Sequence, residues 1–473
     1  MSRYSVPREH FYRIHHIRPR FKNDIESVLI FMATEISKIG EKPSDIFAES
    51  VNAAIKRYPG NITKKEKTIN NWRTEISSLF GLFQTDSGRN VSFPGLRAVE
   101  LADRQDLVLF FKLFLYHFQY PGGHLKPHEN AELIRQGVHF RPAQHILKML
   151  LAVEEKTKQR VWINKAEATH CIFNDLRVIR DGEDVLDTWK RISKNRQDRV
   201  EYDWKGDVIR YAGDILDYME IANLVVCHGT QFFANSLEKA AVLKVVSSDD
   251  WFSGYDAFIK ARAVSTPEVS ALQEDWYKYV NMQRDDDFFK TDILAFIAKD
   301  EKDYNALKKK ILSGIEDKIA EEGALGTKEI GDIGEGLVFG HESMRIKIGG
   351  REDLLHLIQH IPSHLALGYD IKSVELDATH RLIEVKTTIS QRELDFSKFH
   401  LTPSEWSSAD TYKEKYFVYR LLLSKHKLKL FILRDPVGQY KTDRLKMTPR
   451  NGADISFSPD KSGEWTELLE WKD

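Results

Sequence analysis

The chain has 473 residues, 42% hydrophobic and 11% aromatic, with 70 basic against 71 acidic side chains and a net charge of −1. That length exceeds a single core and predicts two to four domains of ordinary globular composition. There is no run near the ~20 apolar residues of a membrane span and no signal-peptide core. Cys171 and Cys227 alone build no disulfide framework, so a reducing cytoplasm is the expected location.

Residues 1–23 are basic and irregular, with Arg13, Arg18, Arg20 and Lys22, and read equally as a phosphate-contacting arm or a solvated tail. Residues 1–90 carry 15 Lys/Arg against 10 Asp/Glu, so the near-neutral total hides a local basic surplus. Helical spacing then predicts three helices, over 25–39, 42–58 and 63–83, separated by Gly40 and Pro59-Gly60. Thr63 followed by Glu66 predicts a capped start for the third. Its apolar stripe is Ile69, Trp72, Ile76, Leu79 and Phe80. Lys64, Lys67, Asn70, Asn71 and Arg73 are left for the outside, and Asn and Arg can pair in bidentate fashion with base edges in a major groove. Residues 84–93, with Arg89 in the turn Ser87-Gly88-Arg89-Asn90, read as a following β-wing. Residues 1–97 therefore read as a winged-helix or helix-turn-helix DNA-binding domain, with a plain three-helix bundle as the alternative.

Residues 98–247 read as a second helical, DNA-recognising domain. It contains a buried aromatic helix from Leu107 to Tyr120 that Pro121 ends, and a self-closing stretch from Asp207 to Leu243. On pattern alone, without a diagnostic motif, 163–245 is similar to the helical DNA-binding portion of AlwI-type restriction enzymes. Residues 248–328 are charged and helical, a linker or dimerisation region, with Ile311, Ile315 and Ile319 striping a helix over 302–322.

The last domain, 329–473, carries the chemistry. Gly368-Tyr369-Asp370-Ile371-Lys372-Ser373 and Arg381-Leu382-Ile383-Glu384-Val385-Lys386 read as two strands of a hairpin. Period two puts Ile383 and Val385 on one face and Glu384 with Lys386 on the other, where Asp370 can join them. Two carboxylates beside an ammonium suit phosphodiester hydrolysis with a divalent cation, because Mg²⁺ takes one or two carboxylate oxygens and keeps waters. A solvated ladder of alternating charges is the alternative.

The order Asp370-x13-Glu384-x-Lys386 resembles the PD-(D/E)XK nuclease superfamily. Residues 331–435 resemble its DUF3883 or NO VEIN C-terminal branch through Gly334-Glu335-Gly336-Leu337-Val338, the Gly-Tyr-Asp strand, Ile383–Thr388, His400–Trp406 and Lys415–Arg420. Tyr369 stands where the superfamily's proline would be. The resemblance implies Asp370 and Glu384 as ligands of Mg²⁺, with Mn²⁺ able to substitute. Lys386 would orient or deprotonate the attacking water, and Glu335, on a helix, would reach the metal through water. Thr387, Thr388 and Gln391 are candidate phosphate contacts. Glu405 and Trp406 fall on a later helix, where packing is the default for the tryptophan.

Competing chemistries lack their motifs. There is no CxxC pair, no Walker A Lys-Ser/Thr after Gly331–Gly336, no HExxH and no Gly-x-Ser-x-Gly. The expected architecture is α+β and multidomain: a helical, winged-helix-like DNA-recognition region and a C-terminal α/β PD-(D/E)XK restriction-endonuclease-like core. The expected function is a Mg²⁺-dependent type II-like restriction endonuclease of bacterial defence. It would act on double-stranded DNA as a homodimer, with a separate DNA methyltransferase and no membrane partner. An antiphage or repair nuclease guided by DNA structure or modification, and a catalytically silent DNA-binding protein, are the alternatives.

Overall fold

Apolar residues recurring every third or fourth position over 25–80 fold, in a computed structural model, into helices Ile25–Ser37, Ser44–Arg57 and Glu66–Thr74. The structure describes residues 3–285, 288–289, 291–309, 330–362, 365–392, 394, 397–425, 427–449 and 451–469. The expected stripe Ile311, Ile315, Ile319 lies outside them. The chain divides into two units, 1–102 with 107–289, and 103–106 with 290–473. The domain boundaries expected at 97/98 and 247/248 fall inside the first unit.

In the first unit the third helix departs from expectation at both ends. It starts at Glu66, with Lys65 rather than Thr63 at the cap and no side-chain cap bond. It then widens over Glu75–Leu79, where Glu75 is buried and accepts the Arg20 backbone N–H at 2.9 Å. Lys42-Pro43, expected as helix, is instead a short strand β1, because Pro43 is extended (ψ 139°) and the pair aligns with the hairpin beyond. That hairpin is β2 (Phe83–Asp86) and β3 (Val91–Pro94), giving the sheet order β1-β3-β2. The five predicted stripe residues of the third helix are all buried.

The aromatic helix Leu107–His117 is buried along nearly its whole length, with Phe111 stacked on Tyr218 of helix Asp207–Ile221 at 5.2 Å. A second small sheet joins β4 (Trp162–Ile163), β5 (Val225–His228) and β6 (Gln231–Ala234) in the order β4-β6-β5.

The second unit is built on β7 (Gln359–His360), β8 (Ile371–Val374), β9 (His380–Ser390), β11 (Tyr416–Ser424), β12 (Lys427–Arg434) and β15 (Glu464–Glu467). Their order is β15-β12-β11-β9-β8-β7, with β9 and β11 parallel and the other neighbours antiparallel. A smaller sheet, β10-β14-β13, uses β10 (Lys398–Leu401), β13 (Leu445–Pro449) and β14 (Ala453–Phe457).

Helix Ile330–Ile348 crosses one face of β9 so closely that a Cβ on Gly334 would lie 1.9 Å from the Thr387 hydroxyl. On that face Glu342, fully buried, accepts from Ser373 (2.7 Å), Tyr419 (2.7 Å) and Arg345 (2.7 Å). The opposite face carries Leu382, Tyr416 and Val418 into a core shared with the smaller sheet. Residues 103–106 also belong to this unit: Asp106 bridges to Ile389, and Gln105 Oε1 accepts from Thr388 (2.7 Å) and Arg420 (3.1 Å).

Candidate functional site

The hairpin register pairs Ile371 with Ile383 and Val374 with His380, which leaves Asp370 at the foot of β8 opposite Glu384. Asp370 donates its N–H to the Ile383 carbonyl (2.9 Å), and its Oδ2 accepts the Val385 N–H (2.7 Å). The aspartate is thus fixed by backbone on both sides. Glu384 and Lys386 share the face that Leu382 and Tyr416 line, and Glu384 is only 4% exposed.

The Asp370 and Glu384 carboxyls hydrogen-bond to each other. Burial pushes both above the usual carboxylate range, Glu384 strongly; the Asp370 charge raises Glu384 further, while the hydrogen bond from Glu384 draws Asp370 back down. Lys386 Nζ lies 2.6 Å from Glu384 Oε1 and 2.8 Å from Glu405 Oε2. Burial disfavours its charge, but the two carboxylates outweigh burial and hold it as an ammonium, above its ordinary value. Burial likewise opposes ionisation of Glu405, and Lys386 overrides it, so Glu405 stays below the usual range.

The sequence reading brought together Asp370, Glu384 and Lys386 but assigned Glu405 no role. The signal was present in Thr402-Pro403-Ser404-Glu405, a capping box in which Thr402 N–H meets Glu405 Oε2 (3.1 Å) and Glu405 N–H meets Thr402 Oγ1 (3.3 Å). Helix Pro403–Tyr412 is tied to the turn before Asp370. Ser404 donates to the Ala366 carbonyl (2.9 Å), Ser408 to Leu367 (2.7 Å), and Tyr416 OH to Gly368 (2.8 Å). Gly368 is left-handed (φ +72°), and a Cβ there would sit 2.6 Å from the Ser404 carbonyl.

Other candidates fall elsewhere. Glu335 Oε2 stands 3.9 Å from His360 Nδ1, with Phe339 stacked on that imidazole. Thr387 lies under Gly334 on the opposite face, and Thr388 is buried against Gln105. Among the described residues no group of three or more His, Cys, Asp or Glu is arranged to hold a metal ion. The pair Asp370 and Glu384, facing each other across the hairpin register, nonetheless fits a hard divalent cation that takes one or two carboxylates and keeps waters.

In the first unit Lys64 and Lys67 are exposed at the start of helix Glu66–Thr74, with Lys64 Nζ 4.6 Å above the Trp72 ring. Asn70, Asn71 and Arg73 are half-buried; Asn70 Oδ1 accepts from Asn52 (3.3 Å) and Arg73 donates to Asn52 Oδ1 (3.2 Å). Arg89 pairs with Asp86 (2.7 Å) and Glu41 (3.2 Å) in the β2–β3 turn. No helix among the described residues is long and apolar enough to cross a membrane.

Comparison with known proteins gives the class: a restriction-endonuclease-like chain. Residues 4–277, more than half of the chain, match the family described as "Restriction endonuclease BpuJI - N terminal", and the chain belongs to that family. Residues 334–433 match "Protein NO VEIN, C-terminal", close to the 331–435 expected from the motifs. One similar solved structure is entitled "Crystal structure of pyrene- and phenanthrene-modified DNA in complex with the BpuJ1 endonuclease binding domain". It has 22% identity and a TM-score of 0.51, over 59% of this chain and 100% of that one, a likeness of fold. No curated protein matches the chain.

Proposed function

We propose that this chain is a Mg²⁺-dependent endonuclease that binds double-stranded DNA through its first unit and hydrolyses phosphodiester bonds at Asp370, Glu384 and Lys386. In this reading it is a type II-like restriction enzyme of bacterial defence. The observation that carries the reading is the meeting of two carboxyls, Asp370 and Glu384, with the Lys386 ammonium at the foot of one hairpin. Family membership supports the restriction class, and the DNA complex of the related binding domain supports DNA as the partner. Three helices, a short strand after the first and a hairpin after the third support a winged-helix reading of residues 25–94. A Glu-x-Lys strand, antiparallel to its aspartate-bearing neighbour and parallel to the strand beyond, supports the PD-(D/E)XK reading of the second unit.

Asp370 and Glu384 would hold the cation, which when bound neutralises charge on the scissile phosphate and its leaving oxygen. Their raised pKa values make cation binding favour higher pH, where both are ionised. Lys386 stays cationic and faces the charge that builds on the phosphoryl oxygens, rather than acting as a base. Its two carboxylate neighbours favour that role. One such site cuts one strand, so double-strand cleavage calls for two copies, a homodimer on DNA, and the host's protection for a separate methyltransferase.

Glu384→Ala and Lys386→Ala should each lower plasmid cleavage by about 10²-fold or more, while gel-shift binding of DNA persists. Full cutting by either variant ends the assignment.

A further inference from the structure

Lys386 does not belong to the hairpin alone. Its ammonium is shared between Glu384, the expected cation ligand, and Glu405, which lies on a different element. The two carboxylates differ in what else they do. Glu384 hydrogen-bonds to Asp370 and must turn its charge to a bound cation under the reading above. Glu405 spends the same oxygen, Oε2, on Lys386 and on the Thr402 N–H, so it cannot swing away without opening the helix cap. The helix that carries it is tied through Ser404 and Ser408 to the turn that leads into Asp370. Aspartate, lysine and second glutamate therefore form one braced frame.

A cation between Asp370 and Glu384 would repel an ammonium 2.6 Å from Glu384. An ammonium with no second anion would stay on Glu384 and compete for the same oxygens. With Glu405 in place it has somewhere fixed to go. Resting on the nuclease reading, we infer that Glu405 is a positioning residue that holds Lys386 beside the phosphate and so frees Glu384 for the metal. It touches no reacting atom. Partners of this kind, one step removed from a ligand, are typically worth about 10- to 100-fold in metal affinity or activity.

The test uses the full-length protein and four variants: Glu405→Gln, Glu405→Asp, Thr402→Ala and Glu384→Ala. Mn²⁺ affinity is read by calorimetry, with kcat and KM for plasmid DNA measured alongside. Glu405→Gln keeps the shape but not the charge, and should weaken Mn²⁺ binding and lower kcat by about tenfold or more, with KM for DNA unchanged. Glu405→Asp should restore part of both. Thr402→Ala removes the hydroxyl of the cap but leaves the carboxylate on Lys386, so it should lower thermal stability and leave Mn²⁺ affinity intact. Equal Mn²⁺ affinity in wild type and Glu405→Gln overturns the inference, as does an equal loss in Thr402→Ala, which would make Glu405 merely structural. Either result leaves the nuclease reading standing if Glu384→Ala still abolishes cutting. A wild-type protein that binds no Mn²⁺ and cuts no DNA sinks both.

Discussion

Beside paired charges such as Lys112 with Glu238 at 2.8 Å, the first unit buries three imidazoles against its aromatic helix Leu107–His117, whereas the second unit gathers paired charges on both faces of its sheet. His16 bonds to the Tyr120 hydroxyl at 2.9 Å, His117 faces Asp250 at 3.0 Å, and His124 is packed between Phe118 and Tyr120; all three are at most 5% exposed. Burial holds His16 down at about 3 and His117 at about 4, and lowers His124 well below its ordinary value. In the second unit Glu342, Arg345 and Arg381 form a charged cluster on one face of the sheet, and Glu384, Lys386 and Glu405 form another on the opposite face. His16 and His124, held neutral by burial, fit an aromatic core without a counter-ion beside them. Paired charges keep local electrostatics strong where chemistry on a phosphate is proposed.

Acid should separate the two regions most sharply. Between pH 6.5 and about 4 the unfolded first unit binds protons at His16, His117 and His124 that the folded unit refuses, so its stability falls with pH. Asp214, raised to about 6 by burial, works the other way by one proton. His145, lowered by burial to about 4, adds to the imidazole side, so the net effect is a loss of stability as the pH falls. In the second unit the raised Asp370 and Glu384 favour the folded state on acidification, against His341, lowered by burial to about 4. Calorimetric scans from pH 7 to pH 5 should therefore show one transition falling and the other holding. Equal movement of both would erase the contrast.

Next in size is Glu342→Gln, which removes the buried charge between Arg345 and Arg381 while leaving both on Glu375, and should cost about 3 kcal/mol in denaturant unfolding of the second unit. Gly334→Ala should cost about 1–3 kcal/mol there, because the added methyl must displace Thr387. Lys67→Ala in the first unit should be the mildest. It should leave stability and cleavage chemistry intact and reduce the slope of log K against log salt by about one. A loss of folding instead would make that lysine structural.

Much of the second unit was legible because a strand's period of two fixes which side chains share a face: Glu384 and Lys386 had to lie together once β9 was read as a strand. Asp370 followed from the hairpin. Glu405 did not, since its meeting with Lys386 depends on where helix Pro403–Tyr412 docks, and that is set by the small contacts of Gly368, Ser404 and Ser408. Burial of the third helix's stripe was legible from its spacing. Its start was not, because the Thr63 hydroxyl is passed over and Lys65 takes the cap. Lys42-Pro43 misled for the same reason: pairing with Val91 and Ser92, fifty residues on, outweighs the local helical pattern.

Residues 103–106 carry a consequence for engineering. Gln105 and Asp106 come from the midst of the first unit's sequence, yet they brace the far end of the strand that holds Glu384 and Lys386. A fragment starting near residue 290 would lack that brace and should be a poorer scaffold than its length suggests. A chimera that transplants the second unit onto another domain would need to supply these four residues, by insertion or in trans, before its hairpin is restored in full.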